Sequence, residues 1–160
     1  MARTSTHRGV SIRVEGLKEV RRDLKEAGDF EGSAALKAAL AEAADHVVAT
    51  ARSRASTRQE RSMASRLKAS RSAASSAVTL GGKPYDLGTE FGAKRWPQFR
   101  DWRGNDLGAG YLLFPTIRDQ EERILEPVAG ALQKVLAGKG AASLGAASGV
   151  MAQLEAAIGG

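Results

Sequence analysis

Few side chains in this sequence are of the kinds that do covalent or acid/base chemistry. It has two histidines, His7 and His46, and no cysteine. Without thiols there is no nucleophilic cysteine, no thiolate metal site and no disulfide framework. A histidine-based triad would need His7 or His46 beside an activated serine, and neither sits in a supporting motif. His46 lies between Asp45 and Val47 on a helical pattern and reads as a structural helix histidine. Asp86 and Glu90 are four apart and share a helix face, the arrangement that seeds an acid/base pair or a hard-metal site. Two carboxylates alone specify neither. Asp119, Glu121, Glu122 and Glu126 form a richer acidic group, but acids in a first helical turn are already favoured by the helix dipole.

Two further groups are candidates for binding. The glycine-rich run from Gly104 through Asn105, Asp106, Leu107, Gly108 and Ala109 to Gly110 lacks the lysine and the following helix of a phosphate loop, so it reads as a turn. Trp96, Phe99 and Trp102 are spaced three apart among Arg95, Arg100 and Arg103. Such a set can stack bases or cations, and more commonly forms a satellite core or a protein-protein anchor. The third feature is charge. Arg52, Arg54, Arg58, Arg61, Arg66, Lys68 and Arg71 face Glu60 alone, an excess that equals the whole chain's net +6. This serine- and arginine-rich stretch reads as a solvated or mobile segment, or as a surface for nucleic acid or an acidic partner.

The elements that must position these residues are legible in part. Val10, Ile12 and Val14 alternate with polar residues and predict a strand over 10–14. Leu17, Val20 and Leu24 give one apolar stripe, hence a short helix ending at Gly28. Ser33 is placed to cap a long helix over 33–54, traced by Leu36, Leu40, Ala43, Ala44, Val47, Val48 and Ala51. Residues 55–72 then read as a loop with a short helical turn near Met63 and Leu67, and 73–80 as a strand. A short helix over 84–91 is closed by Gly92, 93–110 is a long loop, and 111–114 reads as a short strand bounded by Pro115. Thr116 or Asp119 can begin a last helix whose stripe runs from Ile117 to Leu136, with Pro127 marking a kink or the true start.

The expected fold class is therefore α+β: a small antiparallel or mixed sheet packed against one long helix, with a second long C-terminal helix. At 160 residues and 16.8 kDa one core is expected, placed in a single domain over 1–137 with a flexible Gly/Ala-rich tail over 138–160. Only 5% of the residues are aromatic and many of the apolar ones are alanine, so neighbouring copies are expected to supply part of the burial. The first residues carry no apolar signal region and no window reaches 18 consecutive apolar residues, which predicts a soluble protein with no membrane partner.

The order of these signals resembles the neck or tail-completion proteins of long-tailed bacteriophages, over roughly residues 10–137. Members tend to open with a strand running into Gly-Leu and a charged helix, here Val10 to Leu24. An alanine-rich helix ending in Ala-Arg follows, here Leu36 to Arg52, and then a Leu-x-x-Ser region, Leu67 to Ser70. The best match is a Tyr-x-x-x-x-Glu-x-Gly core at Tyr85, Glu90 and Gly92, followed by Phe114-Pro115. The chain lacks the Pro-x-x-Thr-Gly turn often seen before the Leu-x-x-Ser region, has a long middle loop, and extends beyond residue 138.

The resemblance implies a structural virion protein rather than an enzyme, without cofactor or metal. It implies a homo-oligomeric, hexameric ring at the head-tail junction, assembled in the host cytoplasm between a head-closure ring and a tail terminator or tail tube protein, with viral DNA passing through the lumen. Candidate interface or lumen residues are Arg58, Arg61, Arg66, Arg71, Trp96, Phe99 and Trp102. The alternative reading is a basic nucleic-acid-binding module, suggested by the pI of about 10.0 and the arginine stretch.

Overall fold

The computed structural model describes residues 9–12, 17–26, 28–71, 76–80, 82–104, 109–139, 150 and 152. Among them the chain is mostly helical with a small antiparallel sheet, an α+β arrangement. Strand β1 (Gly9–Ile12) leads to helix α1 (Leu17–Glu26) and then to α2 (Phe30–Arg54), the 25-residue axis of the fold. Asp29, not Ser33, caps α2: its Oδ1 accepts the Gly32 N–H at 2.8 Å. Ser33 Oγ instead accepts a bond from Arg21. The apolar periodicity begins only at Leu36, so spacing does not reveal Phe30, Glu31 and Gly32, the residues of α2 that precede the helix expected over 33–54.

The arginine-rich stretch forms a helix and a strand rather than the loop with a short helical turn expected over 55–72. Helix α3 (Arg58–Arg66) starts on a capping box, with Thr57 Oγ1 accepting the Glu60 N–H and the Glu60 carboxylate accepting the Thr57 N–H. Strand β2 (Lys68–Arg71) follows directly and pairs with β3 (Ser76–Thr79). β3 is the central strand, flanked antiparallel by β1 and β2, with Gly9 and Lys68 both opposite Thr79. One face of this sheet packs on α2 through β2 and β3.

Residues 111–114 do not form the expected third strand. Helix α4 (Pro84–Phe91) and the loop after it lead into helix α5 (Leu113–Asp119), in which Pro115 is the third residue. A proline in a first turn costs nothing because that N–H has no intrahelical partner. Helix α6 (Glu121–Lys139) then runs uninterrupted through Pro127, neither starting there nor ending there, and extends past the domain boundary expected at 137. His46 with Gln120 and Arg54 with Asp119 bring its start to the second half of α2, while Lys134 and Val135 share a hollow with Gly28 and Gly32, so α6 runs antiparallel to α2.

Two apolar clusters result. Val47, Ala51, Met63, Val78, Phe91, Leu113 and Phe114 belong to the first, around the second half of α2. Val20, Leu24, Leu36, Leu40, Val128, Leu132 and Val135 belong to the other, around its first half. Val150, from the segment assigned to a tail, is buried in this second cluster; of 138–160, only residues 138, 139, 150 and 152 are described.

Candidate functional site

The residues singled out for chemistry, Asp86 and Glu90, are both buried on α4, and each is spent on a different structural bond. Asp86 folds back to accept the Lys83 N–H at 3.1 Å, closing the first turn of α4, and makes a two-point ion pair with the Arg66 guanidinium. The hydrogen bond to Asp86 raises Arg66 above the ordinary arginine value.

Glu90 is wholly enclosed and points at the start of α5. Its Oε2 accepts the Leu113 N–H at 2.9 Å and its Oε1 the Phe114 N–H at 3.0 Å. A side chain 23 residues upstream thus caps the helix, placing a carboxylate at the positive end of the α5 dipole. Burial pushes the Glu90 carboxyl up, partly offset by the amides of Leu113, Phe114, Leu112 and Tyr111.

Glycines make room for this joint. Gly110 has φ +95°, and a Cβ there would collide with Glu90 Oε1. Gly92 has φ +79°, and a Cβ would strike the Asp101 carbonyl oxygen. That close approach belongs to the long loop, whose residues 93–103 are pinned by backbone and side-chain contacts. The Ala93 N–H bonds the Arg100 carbonyl and the Arg103 N–H bonds the Phe91 carbonyl, each at 2.9 Å. Arg100 reaches Glu60 at 2.9 Å, and Arg103 lies 3.9 Å from the Tyr111 ring centroid. Burial raises the Glu60 carboxyl, but bonds from the Thr57 N–H and the Ser56 hydroxyl and N–H, with the charge of Arg100, outweigh it and hold the group below its ordinary value.

The candidate interface residues separate into two kinds. Arg66 and Phe99 face inward: Arg66 pairs with buried Asp86, and the Phe99 ring lies on α4 where a Cβ at Gly88 would come within 2.9 Å. Arg58 and Arg61 are exposed on α3, the latter bonded to the Ser56 carbonyl at 3.0 Å. Arg71 lies on β2, and its side chain is outside the described residues. Arg52 ties α2 to the Ala64 and Leu67 carbonyls, so the charge excess is partly consumed within the subunit. Trp96 is 62% and Trp102 42% exposed, and both line an open hollow with Gly92, Ala93, Lys94 and Arg95.

Among the described residues no three carboxylates or histidines converge as a metal site, and no helix is long and apolar enough to cross a membrane. His46 makes a 3.4 Å contact with Gln120 and faces no serine hydroxyl in its hydrogen bonding. Of the glycine-rich run, 105–108 lie outside the described residues, as does His7. Sequence reasoning missed Glu60 as an anchor, although the Thr57-x-x-Glu60 spacing is the signal that finds it. No protein-family model, curated protein or solved structure matches this chain.

Proposed function

We propose that the protein is a structural subunit of the connector of a long-tailed phage, forming a hexameric ring between the head-closure ring and the tail terminator or tail tube protein. The observation that carries this reading is the Glu90 joint. The two segments with the best resemblance to neck proteins, Tyr85 to Gly92 and Phe114-Pro115, meet where the buried Glu90 carboxyl accepts the Leu113 and Phe114 N–H groups. Glu90, Phe91 and Gly92 serve that joint while Asp86 holds Arg66 and the first turn of α4, so the motif makes sense as architecture rather than as a reactive centre. In this reading the protein acts without cofactor at the head-tail junction of the virion, and DNA crosses the lumen without sequence-specific contacts.

The test is deletion of the gene from the phage, with complementation. Filled heads and tails that accumulate unjoined, or tails malformed at the upper end, are the expected result in electron micrographs. Normal infectious particles from the deletion strain overturn the proposal. The half-exposed tryptophans beside Lys94 and Arg95 favour one other reading, a nucleic-acid-binding module, which requires monomers or dimers with salt-dependent oligonucleotide affinity.

A further inference from the structure

Between Asp45 and Asp101 the sequence carries eleven lysines and arginines against three carboxylates, Glu60, Asp86 and Glu90. Folding withdraws all three, at 4%, 1% and 0% exposed, so no surface carboxylate from this span offsets its cations. Some of the cations are spent inside the subunit as well: Arg66 on Asp86, Arg100 on Glu60, Arg54 on Asp119, and Arg52 on two carbonyls. Arg58, Arg61, Lys68 and Lys83 are exposed, and none of them has an ion pair among the described residues. These four stand around Arg66. Arg58, Arg61, Ser62 and Ser65 share the outer face of α3 at i, i+3, i+4 and i+7, opposite buried Glu60, Met63 and Ala64. Arg66 bonds Ser62 at 2.8 Å, and Lys68 opens β2 two residues further on. The Lys83 N–H bonds the same Asp86 carboxylate that holds Arg66, which brings the start of α4 to this face.

We infer that this face, formed by Arg58, Arg61, Lys68 and Lys83, binds the phosphate backbone of duplex DNA without regard to sequence. Like charges left unpaired by the fold repel one another, and a polyanion relieves that repulsion while releasing its own condensed counterions. The donors suit phosphate: Arg61 gives one N–H to the Ser56 carbonyl and keeps the others of its guanidinium fork, and the two lysines act as point charges. The spacing suits a strand of a duplex. From Arg58 to Arg66 α3 rises about 12 Å, which matches three to four successive phosphates at roughly 3.4 Å of helix axis each. Tyr85, the ring beside them, already carries the Arg66 guanidinium at 5.2 Å from its centroid, so the contact is to phosphates rather than to stacked bases. The inference deepens the ring proposal and rests on it for placing the duplex in the lumen, whereas binding itself is read on the purified chain.

The test is fluorescence anisotropy of a labelled random-sequence DNA duplex titrated with the full chain. Four neutralised phosphates predict an affinity about a hundredfold weaker at 200 mM than at 50 mM salt. Arg58→Gln, Arg61→Gln, Lys68→Gln and Lys83→Gln combined, checked for folding by circular dichroism, should lose at least tenfold in affinity and most of the salt dependence. Lys94→Gln with Arg95→Gln, beside the tryptophans, should lose less than twofold. The paired variants Arg58→Gln with Arg61→Gln and Lys68→Gln with Lys83→Gln, each losing part of the affinity, carry the same test should the quadruple variant misfold. No binding at 50 mM salt overturns the inference, as does a quadruple variant that binds like the wild type or a Lys94 and Arg95 variant that loses as much. Polyglutamate that displaces the duplex at equal charge concentration also overturns it, in favour of an acidic protein partner. Absent or unaffected DNA binding in a chain whose deletion leaves heads and tails unjoined removes this contact and leaves the ring proposal standing. Binding as expected in a chain whose deletion leaves phage particles normal supports the contact and removes the ring proposal.

Discussion

The two halves of α2 are held by different physics. Around its first half the contacts are apolar: Leu36 and Leu40 meet Val20 and Leu24 of α1 and Val128, Leu132 and Val135 of α6. Around its second half an apolar cluster is framed by three buried carboxylates, Glu60, Asp86 and Glu90, each bonded to backbone amides. Apolar burial stabilises without direction, and many packings of similar volume satisfy it. A buried carboxylate with fixed donors tolerates one geometry, since an unpaired buried donor or acceptor costs far more than a made bond gains. The half with the irregular loop and short helices is thus the half that needs the specific anchors.

The contrast is broken most sharply at Glu90. Glu90→Ala leaves the amides of Leu113 and Phe114 buried without acceptors, and a loss of about 3 to 5 kcal/mol in denaturant unfolding is expected. A loss under about 1 kcal/mol would mean that α5 starts without this cap. Leu40→Ala probes the other half, where a wholly buried leucine should cost about 2 to 5 kcal/mol, with the melting transition staying cooperative. The two variants should differ in kind: limited proteolysis should cut the 93–110 region of Glu90→Ala and spare that of Leu40→Ala.

Arg66→Gln should have a smaller effect. It strands Asp86, but Arg66 is partly solvent-exposed, so water screens the pair and the expected loss is about 1 to 2 kcal/mol. Double substitution with Asp86→Asn should recover part of it, as measured in a double-mutant cycle.

Titration separates two of the anchors by sign. Glu90, raised above 4.5 in the fold, binds its proton more readily folded than unfolded, so its contribution is full below 4.5 and is lost as pH rises through its raised value. Glu60, lowered below 4.5, contributes fully above that value and loses its contribution as pH falls through its lowered value. Glu90→Gln should therefore flatten the stability profile above pH 4.5, and Glu60→Gln the acid limb beneath it. The same limb affected by both variants would undo the distinction.

The smallest effect on folding is expected at Arg58 and Arg61, which face solvent on α3. Arg→Gln at both positions should leave the melting temperature unchanged. If they contact an acidic neighbouring ring or the DNA in the lumen, head-tail joining weakens and becomes more salt-sensitive in electron micrographs; unaltered joining across salt places them at the outer surface.

Periodicity alone determined the elements whose burial follows a simple repeat. The stripe of α1, the body of α2 from Leu36 to Ala51, α4 closed by Gly92 and most of α6 are written in their apolar spacing. What the tertiary structure decided lies where the partner is far away in sequence. Lys68–Arg71 carries one small apolar residue, Ala69, and becomes a strand because β3 offers it a hydrogen-bonding edge. Leu112, Leu113 and Phe114 have the composition of a strand, yet the Glu90 carboxylate brought up from α4 meets the Leu113 and Phe114 amides and starts a helix there. The roles of Asp86 and Glu90 were undecidable locally for the same reason: a carboxylate's chemistry is set by the donors around it, and here those come from Arg66 and α5.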